Sequence, residues 1–156
     1  MSAGADPSWS LRAASAEDAD AVREVIIAAA IAAWGSFVGA ERIRRVNEDG
    51  GHPADLVAAD AEGVFGIVSW DATSGEITRL YVHPRGWDRG AGTALLERAI
   101  DALRSAGCRR AWLNTEERGE RTVAFYERRG WRRDGEIRER DWHGARLREP
   151  RFILDL

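Results

Sequence analysis

The spacing of apolar residues along the chain predicts the elements of a mixed α/β domain. Alternating or continuous apolar runs, which are typical of strands, occupy residues 9–14, 55–59, 64–70, 76–82, 109–115, 131–141 and 145–156. Apolar residues three and four positions apart predict helices from about residue 15 to 33 and over 40–46, 90–106 and 120–129. We therefore expect the order β α α β β β α β α β β, which is an α/β fold with one mixed, mostly antiparallel sheet and flanking helices.

The length of 156 residues suits a single domain. We assign residues 9–156 to this domain and residues 1–8 to a flexible N-terminal tail. The tail lacks the basic flank and apolar run of a signal peptide. No segment approaches the roughly 18 apolar residues that span a bilayer. These patterns predict a cytoplasmic protein with no membrane partner.

The composition excludes several kinds of chemistry. All 23 basic residues are Arg, and the absence of Lys excludes a P-loop lysine, a Schiff-base lysine and a lysine general base. Cys108 is the single cysteine, so no intrachain disulfide forms and a reducing compartment is expected. The three His residues are far apart, which predicts no metal site, and the net charge of −3 argues against a nucleic-acid partner.

The candidate chemistry centres on the loop that opens the third helix. The strand over residues 76–82 ends at Pro84 and leads through a glycine-rich loop to Gly90-Ala91-Gly92. Backbone N–H groups at a helix N-terminus, unobstructed by side chains at glycine, suit a phosphate or pyrophosphate. A dinucleotide fingerprint needs Gly or Ala where this chain has Leu95, so dinucleotide binding is disfavoured.

A second stretch, residues 121–131, contains Phe125-Tyr126 and Gly130-Trp131. Together with Leu80-Tyr81-Val82-His83-Pro84 and Gly90-Ala91-Gly92, in this order and spacing, it resembles the GNAT superfamily of acyl-CoA-dependent N-acetyltransferases. Leu11-Arg12-Ala13-Ala14 with Glu17-Asp18 is similar to the first strand and helix start of that family, so the resemblance extends over nearly the whole chain. It implies a sheet splayed open between strands four and five, with the pantetheine arm of the co-substrate acetyl-CoA in the gap.

The resemblance also implies which residues bind coenzyme A. The glycine-rich loop would hold the pyrophosphate, and backbone N–H groups at the end of strand four would bind the acetyl carbonyl and the pantetheine amides. Trp87 stands where the family has Arg or Gln, so Arg85 or Arg89 would supply the charge. Gly119 stands where many relatives have an Asn that contacts the coenzyme, and that contact is not carried over. The expected coenzyme-binding residues are Leu80, Tyr81, Val82, Arg85, Asp88, Arg89, Gly90, Ala91, Gly92 and Thr93.

Two residues are expected to carry the catalysis. By resemblance, Tyr126 matches the general acid that protonates the departing thiolate, and the alternative is a packed helix aromatic. Glu76, at the start of strand four, is the expected base, directly or through water, and the alternative is a solvated turn residue. A base is useful because only about one in 2,500 amines with a pKa near 10.4 is neutral at pH 7. Glu116 and Glu117, just past strand five, are the other acidic candidates.

The acceptor is the least constrained part of the prediction. The resemblance places Trp34, Phe37 and Trp70 along the acceptor pocket, although large aromatics are also common in cores. The expected activity is transfer of an acetyl group to a primary amine of a small molecule. The alternatives are acetylation of protein N-termini or lysines, and a non-catalytic acyl-CoA-binding domain that regulates a partner. The resemblance also allows a homodimer.

The charge is divided unevenly between the two halves of the chain. Residues 1–78 hold 5 Arg and 13 acidic residues, a net charge of −8, whereas residues 79–156 hold 18 Arg and 13 acidic residues, a net charge of +5. The basic half contains the glycine-rich loop and Tyr126, as expected for binding a polyanionic coenzyme. The acidic half contains the expected acceptor side, which favours a cationic amine.

Overall fold

The computed structural model describes residues 8–51 and 53–156, which form one seven-stranded sheet with helices on both faces. The strands are β1 (Trp9–Ala13), β2 (Leu56–Asp60), β3 (Gly63–Asp71), β4 (Glu76–Val82), β5 (Arg110–Asn114), β6 (Arg132–Trp142) and β7 (Ala145–Asp155). The α-helices are α1 (Ala19–Val38), α2 (Ala40–Asn47), α3 (Ala91–Ser105) and α4 (Glu120–Glu127). The predicted element order and fold class are confirmed. Residues 1–7 of the predicted tail lie outside the described residues.

The sheet order is β1-β2-β3-β4-β5-β7-β6. Neighbouring strands are antiparallel except β4 and β5, which run parallel and are joined at one residue pair, Glu76 with Trp112. The predicted splay between the fourth and fifth strands is therefore present. The register of β4 against β3 passes from Ile77 to Arg79, which leaves Thr78 as an extra residue on β4. A bulge of this kind bends the strand and increases its twist.

Helix α1 differs from its prediction in length and in apolar character. The helix was expected to end near Ala33 but continues to Val38, where Gly39 takes a φ of 97°. Gly35 costs about 1 kcal/mol inside a helix, and packing of the last turn against α2 and β7 stabilises the longer helix. The stretch Ala16–Val38 is long and apolar enough to cross a membrane by length and composition, so the expectation of no such segment was wrong. In the structure, its apolar side packs against β2 and β3 as a core helix does.

Helix α3 covers the opposite face of the sheet and sets the position of the glycine-rich loop. Its buried stripe of Leu95, Leu96, Ala99 and Leu103 packs against β3 and β4, as the helical spacing predicts. The chain enters this helix from the end of β4 through the short 3-10 turn Pro84–Gly86. The N-terminus of α3 therefore lies next to the end of β4 that has separated from β5.

Candidate active site

A cleft of about 500 Å³ opens where β4 and β5 separate. Its walls come from α1, β4, β5, the N-terminus of α3, α4, β6 and β7. Eight of the ten expected coenzyme-binding residues line it: Leu80, Tyr81, Val82, Asp88, Gly90, Ala91, Gly92 and Thr93. The sheet pairing leaves β4 without a partner strand beyond Glu76 on its β5 side, so backbone along Leu80–Val82 faces the cleft.

The α3 end of the cleft presents backbone donors. The first backbone hydrogen bond that spans the helix start is donated by the Ala94 N–H to the Gly90 carbonyl at 3.1 Å. Among the described residues, the N–H groups of Ala91, Gly92 and Thr93 have no hydrogen-bond acceptor, and Gly90 offers no side-chain cap. Gly90 has a φ of 83°, which glycine adopts without strain. Unsatisfied amides at a helix N-terminus suit an anionic group such as a pyrophosphate.

Arg85 and Arg89, the expected substitutes for the family's loop cation, lie outside the lining of the cleft. Both bind the carboxylate of Asp60, with Nη1 to Oδ2 distances of 3.0 and 2.8 Å. Both guanidinium groups also lie over the Phe65 ring, at 5.1 and 4.8 Å from its centroid. The hydrogen bonds from Arg85 and Arg89 hold the pKa of Asp60 far below its usual value. These contacts of Arg85 and Arg89 hold the glycine-rich loop against Asp60 on β2 and Phe65 on β3.

Two cations at the α3 end were missed by the sequence analysis. Arg121 lies 3.9 Å above the Trp87 ring and 3.5 Å from Asp88 Oδ1, and Arg129 lies 3.7 Å above the Phe125 ring. Arg129 Nε donates to the Thr93 hydroxyl at 3.1 Å, which ties the end of α4 to the start of α3. Burial lowers the pKa of Arg129. The four-residue spacing of Arg121 and Phe125 on α4 and Arg129 in the turn after it was the signal that could have identified them.

Tyr126 lines the cleft from α4 and is almost completely buried. Its ring makes edge contacts with Phe125 and Trp131, at centroid distances of 5.2 and 5.6 Å. Burial raises the pKa of its phenol far above the usual value. Within residues 8–51 and 53–156, the hydroxyl has no hydrogen-bond partner. The phenol is therefore a neutral donor that is not held by another protein group.

The acidic candidates occupy three different environments. Glu76 begins β4 at the closed end of the splay, one residue before Ile77, which lines the cleft. Burial raises the pKa of Glu76, which makes it a stronger base. Glu116 is fully buried and accepts hydrogen bonds from Arg118 Nε at 2.7 Å and the Arg148 N–H at 2.8 Å. Glu117 forms an ion pair with Arg148 at 3.2 Å. The contacts of Glu116 and Glu117 are those of structural residues.

The three expected acceptor-pocket aromatics are not brought together. Trp34 lines the cleft from α1. Phe37 packs under Arg118, whose guanidinium lies 4.0 Å from the ring centroid. Trp70 packs against the α3 side of the core. Phe37 and Trp70 lie outside the lining of the cleft. A role for these two residues in binding the acceptor stays a prediction.

The opposite end of the cleft carries charged side chains that the sequence analysis did not select. We call this part the β6–β7 end and define it by Trp34, Arg79, Arg138, Arg140 and Glu149. Glu149 Oε2 accepts from Arg138 Nη2 at 2.7 Å, and Oε1 accepts from Arg140 Nε at 2.5 Å. These three residues come together because Arg138 pairs directly with Glu149 in the antiparallel β6–β7 hairpin.

Tyr81 lines the cleft from β4. Its ring packs on the α1 side of the sheet, so it shares a face of β4 with Arg79. Burial raises the pKa of the Tyr81 phenol, with a smaller opposing effect from Arg79. Glu149 and Arg140 also act on the phenol, and the charge of Tyr81 acts in turn on Tyr126. Tyr81 lines the same cleft as Tyr126 and the charged residues of the β6–β7 end.

In the described part of the chain, no group of three or more His, Cys, Asp or Glu side chains is placed to hold a metal ion. The groups that line the cleft instead suit an elongated ligand with an anionic portion. The α3 end offers free amides and cations, the middle offers an open strand edge, and the β6–β7 end offers further cations.

The sequence and the fold of this chain are similar to those of known acetyltransferases. An 80-residue segment is 40% identical to mycothiol acetyltransferase from Beutenbergia cavernae. The match covers 49% of this chain and 27% of that protein, so the matched segment spans about a quarter of the length of this relative.

Solved structures show the same fold at low sequence identity. A GCN5-related N-acetyltransferase from Rhodopseudomonas palustris aligns with a TM-score of 0.81 and 18% identity, over 94% of this chain and 95% of that one. YncA from Salmonella typhimurium, solved with its cofactor acetyl-CoA, aligns with a TM-score of 0.66 and 21% identity, over 95% and 94% of the two chains. The sequence profile of the Acetyltransferase (GNAT) family matches residues 16–131, and the chain belongs to this family.

Proposed function

We propose that this protein transfers an acetyl group from acetyl-CoA to a primary amine of a small molecule. The observation that carries the proposal is the single cleft that joins the free amides of α3, the open edge of β4 and the Tyr126 phenol. Family membership supports acetyl transfer, and the relative solved with acetyl-CoA supports the choice of co-substrate. The reducing compartment expected from the lone Cys108 supports a cytoplasmic location.

The α3 end would bind the coenzyme. The amides of Ala91, Gly92 and Thr93 would hold the pyrophosphate, and Arg121 and Arg129 would add positive charge beside it. The backbone edge over Leu80–Val82 would bind the pantetheine arm. An N–H group near Tyr81 or Val82 would donate to the acetyl carbonyl oxygen and stabilise the oxyanion that develops during attack.

Glu76 and Tyr126 would move the two protons. Glu76, through a water molecule, accepts a proton from the substrate ammonium, and the neutral amine then attacks the thioester carbonyl carbon. Collapse of the tetrahedral intermediate breaks the C–S bond as Tyr126 donates its phenolic proton to the sulfur. The attacking nitrogen then gives its extra proton to the Tyr126 phenolate, which leaves a neutral amide, a free thiol and a restored phenol. A phenol with a pKa near 10 is a weaker acid than a thiol with a pKa near 8.5. Burial of Tyr126 widens this difference, so proton transfer is concerted with C–S cleavage.

The direct test is turnover by the purified protein. Acetyl-CoA is supplied with a panel of small primary amines that includes the substrate of mycothiol acetyltransferase, and released thiol is measured together with the mass of the product. Because the chain has no lysine, self-acetylation of lysine side chains cannot consume acetyl-CoA in this assay. Acetylation of small amines supports the proposal. Acetylation of peptides alone, or coenzyme binding without turnover, would replace it with a protein acetyltransferase or with a coenzyme-binding regulatory domain.

A further inference from the structure

The β6–β7 end of the cleft holds more cations than anions. Glu149 is only 4% exposed, and its two carboxylate oxygens are divided between Arg138 and Arg140. Arg79 also lines this end, and it has no ion pair among the residues that the structure describes. Three guanidinium groups and one carboxylate therefore line this end of the cleft.

Neighbouring acidic residues do not remove this excess. Glu76 is close enough for the charge of Arg138 to act on its carboxyl group, but it lies outside the lining of the cleft. Counting Glu76 still leaves three cations against two anions. Each guanidinium has five N–H donors, and Arg138 and Arg140 each direct one of them to Glu149 in the described part of the chain. Donors remain for a further acceptor, and a cluster of like charges is stabilised when an anion joins it.

The acidic half of the chain supplies no charged side chain to the lining of the cleft in the described residues. Within the described residues, the lining from residues 1–78 consists of Ala29, Ala32, Ala33, Trp34, Ile77 and Thr78, none of which is charged. The acidic residues of that half therefore lie outside the cleft lining, which removes the basis for expecting a cationic acceptor. Trp34 adds an apolar surface from α1 to the same cleft lining.

We propose that the acceptor is a small primary amine that also carries a carboxylate, of the α-amino acid class. This inference rests on the proposed function, because it names the substrate class of the same cleft. The carboxylate binds Arg79 and the unused donors of Arg138 and Arg140, while the apolar part of the substrate lies against Trp34. The amine points toward Tyr81 and the thioester. Glu149 is a positioning residue that holds the Arg138 and Arg140 guanidinium groups in one orientation.

The test compares L-amino acids with the matching L-amino acid amides, which keep the amine and the side chain but lose the negative charge. Putrescine serves as the cationic acceptor. We expect kcat/KM to favour the amino acids over their amides by roughly tenfold or more, the effect of a charge-assisted hydrogen bond. Arg79→Gln and Arg140→Gln should reduce this preference, mainly through a higher KM for the amino acids. Arg79→Gln is the cleaner variant because Arg79 has no described ion pair to lose.

Arg146→Gln is the matched control. Arg146 lies on the same hairpin, its side chain is 72% exposed, and it pairs with Glu139 at 3.6 Å outside the cleft lining. The control makes the same change in net charge and should leave the preference intact. Equal or better use of the amides or putrescine would overturn the inference while leaving the proposed acetyl transfer in place.

A binding measurement decides the case in which no amine is turned over. Calorimetric titration of the same amino acids into protein saturated with coenzyme A reports recognition without chemistry. Tighter binding of the amino acids than of the amides, lost in Arg79→Gln and kept in Arg146→Gln, supports the inference even if acetyl transfer fails. Equal binding of acids and amides would refute it.

Discussion

The burial of Tyr126 determines the form in which its phenol would take part in the proposed catalysis. Because burial raises the pKa far above the usual value near 10, the hydroxyl is protonated throughout the neutral pH range. Its ring is fixed by edge contacts with Phe125 and Trp131, whereas the hydroxyl has no partner among the described residues. A proton donor that is held in place only by its ring is free to reach the sulfur.

Tyr126→Phe tests this role. The variant keeps the ring contacts and removes only the donor, so we expect kcat to fall by about a hundredfold, in the range of a lost general acid. Coenzyme affinity should stay nearly unchanged because the amides of α3 are untouched. Thiol release gives the rate, a coenzyme titration gives the affinity, and thermal denaturation checks the fold. An unchanged rate would remove Tyr126 from the mechanism.

Glu76→Gln tests the proposed base through its pH dependence. A base acts when deprotonated, so the wild-type rate should rise with pH through the pKa of Glu76, which burial shifts upward. The Gln variant should be slower by roughly tenfold to a hundredfold and should lack this rise. The measurement is kcat/KM across the pH range, with Glu97→Gln on the exposed face of α3 as the control. A variant with the wild-type profile would exclude Glu76 as the base.

At the scale of elements, two glycines beside the cleft have separable roles. A Cβ at Gly86 would lie 2.2 Å from Phe65 Cδ2, and Phe65 is fully buried. A Cβ at Gly92 would meet Phe125 at 3.4 Å and Val82 at 3.6 Å, which are ordinary contacts between two walls of the cleft. The first glycine therefore permits the loop to pack, and the second keeps the α3 end of the cleft open.

Alanine at each position should have a different effect. Gly86→Ala should lower the free energy of unfolding by about 1–3 kcal/mol through overpacking. Gly92→Ala should leave stability unchanged or slightly increased, because alanine favours the helix, but should weaken coenzyme binding by narrowing the cleft. Urea denaturation and coenzyme titration separate the two effects. A loss of affinity without a loss of stability in Gly86→Ala would contradict this assignment.

The elements that could be predicted are those whose own residues specify them. Helix α3 was predicted closely because its apolar stripe and its glycine boundaries are local signals. The extension of α1 to Val38 could not be predicted, because it depends on packing against α2 and β7. The same extension carries Trp34 into the cleft and leaves Phe37 under Arg118.

The site could be predicted only where its residues adjoin in sequence. The glycine-rich loop and Phe125-Tyr126 form such motifs, and eight of the ten expected coenzyme-binding residues line the cleft. The charges of the β6–β7 end were not predictable in this way. Arg138 and Arg140 alternate with acidic residues along β6, a pattern typical of a solvated strand. Their convergence on Glu149 depends on the register of the hairpin, which the sequence alone did not reveal.

At the scale of the whole molecule, the two oppositely charged halves of the chain are joined by ion pairs as well as by the sheet. Asp60 on β2 belongs to the acidic half, whereas its partners Arg85 and Arg89 belong to the basic half. Within the acidic half, Asp18 near the N-terminus of α1 pairs with Arg12, and within the basic half, Asp134 on β6 pairs with Arg151. In each case the hydrogen bond from arginine holds the pKa of the carboxyl group below its usual value.

These lowered pKa values predict acid sensitivity. A carboxylate with a lower pKa in the folded state stabilises the fold above its unfolded pKa, about 3.9 for Asp, and this stabilisation is lost as the pH falls toward the folded pKa. The free energy of unfolding should therefore decrease below about pH 4.

Asp60→Asn should be less stable than the wild type at pH 7 and should lose less stability on acidification. Asp101→Asn, whose side chain is 68% exposed on α3, is the control and should keep the wild-type pH dependence. Urea denaturation at a series of pH values measures both effects, and an Asp60→Asn curve parallel to the wild type would show that Asp60 does not contribute to the acid sensitivity.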